Sequence, residues 1–142
     1  RLPVPGACTG LQEQSIRSRR LISAGSPFAA QVGYSRAVVQ GAWCFVAGTT
    51  GTDPETKTMP DSVAEQAANA LKVIGAALEE AGFAFSDVVR VTYYITDPAY
   101  WDELGQATAP IFGTIRPAAS CVVAGLIKPN MKIEIEVTAF KG

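Results

Sequence analysis

Near the end of this 142-residue chain two glutamates alternate in Lys132-Ile133-Glu134-Ile135-Glu136, with Glu134 thirteen residues after Cys121. On a strand, residues i and i+2 share a face, so Glu134 and Glu136 project together. Such a pair is most often a solvated face. Carboxylates at an interface, however, are costly to desolvate unless they are paired or functional. Beside a thiol, in a cleft between subunits, they could hold a water for attack on a C=N bond. The chain contains no histidine. That excludes Ser-His-Asp and Cys-His nucleophile systems and every His-containing zinc site. Acid–base work falls to carboxylates, Cys, Tyr, Lys or water, and no metal is expected. A free cysteine in a strand is usually a small buried hydrophobe, which is the plain reading of both Cys121 and Cys44.

The elements that must position these groups follow from periodicity and turn chemistry. Ser35–Val39 and Ala42–Ala47 flank Gln40-Gly41, a hairpin turn whose glycine suits positive φ. Gly48-Thr49-Thr50-Gly51-Thr52-Asp53-Pro54 is a loop dense in turn formers, and its glycines allow close approach of a ligand. It lacks the lysine and spacing of a phosphate-binding loop. Ser62-Val63-Ala64-Glu65 is a capping box that opens a helix. The apolar stripe from Val63 to Ala81 marks its core face, and Gly82 stops it. Val88–Thr96 is a β-branched, aromatic strand. Asp97-Pro98 starts a second helix, which Pro110 should kink or end. Strands at 118–124 and 131–139 close the chain. The order β-β-α-β-α-β-β predicts a single α+β domain, a mixed sheet with two helices on one face. The other sheet face needs cover, and a homo-oligomer supplies it economically.

If the last two strands pair as a hairpin about residues 125–130, Cys121 lies opposite Glu134 and Ala119 opposite Glu136. One face then gathers two carboxylates, a thiol and the small side chain of Ala119. Ala118, Ser120, Val122, Ile133, Ile135 and Val137 meet the helices.

Composition sets the remaining bounds. The chain is 48% hydrophobic and 18% charged, as in an ordinary soluble domain, and has no run long enough to span a membrane. Residues 1–20 carry Arg1, Arg17, Arg19 and Arg20 against Glu13, while the remainder carries 8 basic and 12 acidic residues. Basic charge collected in such a segment is not a nucleic-acid face. Residues 1–20 read as a poorly ordered N-terminal extension preceding a domain at 21–142. Three cysteines without close spacing point to a reducing compartment, the cytoplasm. The Arg-rich, acid-poor start is also compatible with an organelle transit segment.

Val32-Gly33-Tyr34-Ser35, Val46-Ala47-Gly48-Thr49, Asp53-Pro54-Glu55-Thr56, the helix from Ser62, and Pro117–Cys121 with Lys132–Glu136 occur in an order that resembles the RidA/YjgF family of enamine and imine deaminases. The resemblance covers about Ser23 to Lys141. It implies a chorismate-mutase-like fold, a homotrimer with ligand clefts between subunits, and cofactor-free hydrolysis of 2-aminoacrylate-type enamines and imines to 2-keto acids and ammonia. It also implies that Tyr34 lines the cleft, that backbone at Gly48 contacts the ligand, that Cys121 sits beside it, and that Glu134 positions or activates the water. In the family's active members an arginine that holds the substrate carboxylate precedes Ser-Cys. Here Ala119 stands there, which suggests a subgroup with an altered substrate and a pocket favouring neutral or cationic ligands. Arg116, three positions away, is the candidate replacement; its plain role is a cap or salt bridge. The other readings are a non-catalytic, ligand-binding or regulatory trimer on the same fold and, against the acidic charge of the domain, the ribonuclease or translation-inhibitor activity attached to some relatives.

Overall fold

The computed structural model describes residues 19–142. Cys8 and nearly all of the expected extension lie outside the described residues. Arg20, assigned above to that extension, is the first residue of a strand.

Six strands form one mixed sheet in the order β1-β2-β3-β6-β4-β5. They are β1 (Arg20–Ile22), β2 (Ala37–Gln40), β3 (Trp43–Thr50), β4 (Val88–Ile95), β5 (Ala118–Val123) and β6 (Ile133–Phe140). Strand β1 and the five-residue helix α1 (Phe28–Val32) were not anticipated; both are too short to carry a periodic signal. The β2–β3 turn is Gly41-Ala42, one residue later than expected, with Gly41 at φ 59°.

Helix α2 (Val63–Glu80) begins as its sequence dictates: the Ser62 hydroxyl accepts from the Glu65 amide at 3.2 Å. It ends in a Schellman motif, with Gly82 at φ 84° donating to Glu79 O and Phe83 donating to Leu78 O. A short 3-10 turn at Pro98–Tyr100, capped by Asp97, leads into helix α3 (Trp101–Ile115). Pro110 does not end this helix. It is exposed, as is Gln106, whose carbonyl loses its helical donor, so water can take the vacated bond. Val63, Ala67, Leu71, Ile74 and Leu78 of α2, with Leu104 and Phe112 of α3, are buried with Val91, Tyr93, Ile95, Ile133, Ile135 and Val137 of the sheet. Among the described residues, no helix is long and apolar enough to cross a membrane.

The C-terminal strands depart from expectation. They do not form a hairpin. β5 runs parallel to β4, and β6 lies antiparallel between β3 and β4. Parallel neighbours need a crossover rather than a tight turn, and α3 is that crossover. The loop after β5 then carries the chain to the slot between β3 and β4. There the alternating Ile/Glu pattern of β6 is buried on one side only, with Ile133, Ile135 and Val137 inward.

Candidate functional site

Strand phase decides which groups can meet. Tyr94 of β4 pairs with Glu134 on one side and Val122 on the other, so those three share the open face. Tyr93 pairs with Ile135 and Cys121, which share the helix face. Cys121 and Glu134 therefore lie on opposite faces within one chain, and the hairpin register is overturned. The β6 half of the face assignment stands; the β5 half is inverted. Ala119, paired with Val91, is also on the helix face, at the β5 edge. Cys121 packs against the core, and burial pushes its thiol pKa up, away from a reactive thiolate. Arg116 adopts a left-handed conformation (φ 52°), and its amide donates to Phe112 O at 2.8 Å. It caps α3.

Glu134 has different company. The β3–β6 register shifts between Val46 and Thr49, a bulge that contains Gly48. A Cβ built on Gly48 would lie 2.9 Å from Glu134 Cδ and 3.0 Å from Oε1. Only glycine lets the carboxylate rest there. Thr50 is Glu134's cross-strand partner on β3, as Tyr94 is on β4. The Tyr94 hydroxyl donates to Glu136 Oε1 at 2.8 Å, a bond that raises the tyrosine pKa.

The residue that the sequence reading missed is Arg36. It follows Tyr34-Ser35 at the entrance to β2, and its Nη1 donates to Thr49 Oγ1 at 2.6 Å and to Gly48 O at 3.2 Å. Burial lowers its pKa, opposed by Tyr34 and Glu134. Glu134's own pKa is raised, first by burial and then by Glu136, with Arg36 opposing. The available signal was a lone cation one residue beyond the Tyr34 motif, at a strand start. Arg36 also borders a cleft of about 610 Å³ whose walls include Tyr34, Thr50, Asp53, Lys57 and Lys128. Tyr34, Arg36, Gly48 and Glu134 are thus connected, while Ala119, Cys121 and Arg116 belong to a different part of the protomer. Among the described residues no group of three or more His, Cys, Asp and Glu is arranged to hold a metal.

A sequence model described as Endoribonuclease L-PSP matches residues 24–141. A structure from Mycobacterium tuberculosis, described as a member of the YjgF/YER057c/UK114 family, superimposes with a TM-score of 0.79 at 44% identity, over 87% of this chain and all of that one. This chain belongs to the RidA/YjgF family. The rat 2-iminobutanoate/2-iminopropanoate deaminase is 32% identical over 125 residues, which cover 87% of this chain and 91% of the rat protein. A RutC family protein of Pyrococcus horikoshii is 33% identical over 109 residues, 76% of this chain and 86% of that protein. The RidA/YjgF fold thus accounts for the mixed sheet and the helices that cover it.

Proposed function

We propose that this RidA/YjgF protein hydrolyses the C=N bond of small reactive imines and of the enamines that tautomerise to them, releasing ammonia. The observation that carries the reading is Glu134, a carboxylate held against Gly48 with a raised pKa, in a chain whose relatives include imine deaminases. A carboxylate with a raised pKa is a stronger base than a free one, suited to take a proton from water and return it. Glu134 removes a proton from water as the oxygen bonds to the imine carbon. The C=N π electrons move to nitrogen, which takes a proton from solvent. Collapse of the carbinolamine forms C=O, sends the hydroxyl proton to solvent and breaks C–N, and Glu134 gives its proton to the departing nitrogen. One imine and one water yield one carbonyl compound and one ammonia.

The open sheet face supports a homotrimer with the ligand cleft between subunits. In that arrangement a neighbour's β5 edge, with Ala119, Cys121 and Arg116, faces Tyr34, Gly48 and Glu134. Because Ala119 offers no cation, the substrate is held differently from that of the arginine-bearing relatives. No cofactor takes part, and three cysteines without close spacing support a cytoplasmic protein.

The test supplies purified protein with 2-aminoacrylate generated in situ and follows ammonia and 2-keto acid. Wild-type protein should accelerate release, and Glu134→Gln should lower the rate about 10²- to 10⁴-fold. Retained ligand binding without acceleration by wild type would favour the non-catalytic, regulatory reading instead.

A further inference from the structure

The geometry points to Arg36 as the anchor for a carboxylate on the ligand, entering through the cleft shared with Lys57 and Lys128, so that the cation absent at position 119 is supplied from the start of β2. This rests on the site reading above and names the ligand class that the site takes.

Arg36 uses one nitrogen, Nη1, for its two bonds to β3. Among the described residues no hydrogen bond engages Nε or Nη2. A guanidinium is a rigid fork with five N–H donors, so fixing it through Nη1 orients the remaining edge without consuming it. That edge suits a bidentate carboxylate. A purely structural arginine, bracing the bulge at Gly48, has no need to border a cleft of about 610 Å³.

The charge of the cleft agrees. Arg36, Lys57 and Lys128 line it against a single acid, Asp53. The Asp53 carboxylate is already engaged, since its Oδ1 accepts from the Glu55 amide at 2.8 Å and the Thr56 amide at 3.2 Å. The field in the cleft therefore favours an anion. The expectation of neutral or cationic ligands counted the charge missing at Ala119 and overlooked the one present at Arg36. Arg36 donates to the Gly48 carbonyl, and Glu134 rests against the same glycine, so Gly48 links the anchor to the proposed base.

Calorimetric titration with pyruvate, and with pyruvamide as its neutral counterpart, tests the inference. Wild-type protein should bind pyruvate more tightly than the amide. Arg36→Gln should weaken pyruvate binding about ten- to 150-fold and leave pyruvamide unchanged. Arg36→Lys, which keeps the charge without the fork, should fall between and serves if the glutamine variant does not fold. Failure of wild type to prefer pyruvate, or unaltered pyruvate affinity in the folded Arg36 variants, overturns the proposal. Arg36-dependent pyruvate binding by a wild type that releases no ammonia would instead sink the deaminase reading and leave the carboxylate anchor intact.

Discussion

Glu134 stands between opposing influences, and its neighbours can be removed one at a time. Glu136 and burial raise its pKa; Arg36 lowers it. The acidic limb of kcat/KM should therefore lie above the usual carboxylate value of 4.5, fall toward it in Glu136→Gln, and rise further in Arg36→Gln. A pH–rate profile of the three proteins reads this directly; an unmoved limb in both variants would remove Glu134 as the titrating base. The sign for stability follows. With a folded pKa above the unfolded one, Glu134 contributes nothing at low pH, where both states are protonated. It opposes folding increasingly as pH rises through 4.5 and then through the folded pKa. Glu134→Gln should thus melt higher than wild type at neutral pH, with the difference closing in acid. Gly48→Ala forces a methyl group to within 3.0 Å of the carboxylate, and the resulting displacement should lower kcat about 10²-fold. Glu134 and Gly48 were legible in the sequence because a strand motif and a glycine-rich loop announce themselves. Arg36 was not, since its importance depends on where β3 bulges.

The elements were largely readable, and the failure among them is instructive. Alternation along β5 and along β6 was read correctly, yet the relative phase of two strands is fixed only by what lies between them. With β4 interposed, Cys121 and Glu134 fall on opposite faces. The expected six-residue connection, residues 124–132 in the structure, fits either a hairpin or a hop over a neighbouring strand, so sequence could not choose. What holds the ends of these elements together is Gln66, fully buried in α2. Its Nε2 donates to Pro60 O at 2.7 Å and Asn130 O at 3.0 Å, and its Oε1 accepts from the Lys132 amide at 2.9 Å. Gln66→Leu strips partners from three backbone groups and should cost about 3 kcal/mol in urea denaturation. Ser62→Ala, which removes only the N-cap bond, should cost about 1 kcal/mol in the same experiment.

At the scale of the molecule, the uncovered sheet face is too apolar to be left to water. Trp43 and Phe45 stack with centroids 6.1 Å apart, and Phe140 meets Trp43 at 4.7 Å. The three remain 42%, 48% and 39% exposed. Contiguous aromatic area of this kind marks an interface. In the homotrimer proposed above, Phe45→Asp should shift sedimentation from trimer to smaller species and reduce ammonia release in parallel, because the proposed cleft between subunits is lost with them. An active monomer would place the whole site within one chain. The need for cover was apparent from the strand order; which side chains form the patch was not, because β3 carries aromatics at alternate positions without declaring its solvent side.

Strand β6 has one more consequence. It is the last of the described strands and a central one in the sheet, contacting β3 and β4 along its length. Until residues 133–140 arrive, the earlier strands form two separate ribbons with an open seam between them. Closing that seam requires pairing across about ninety residues, from β3 to β6, the kind of distant contact that slows folding. A growing polypeptide must therefore keep its seam exposed until synthesis has passed Phe140, and loss of the final strand would leave a chain that cannot finish its sheet.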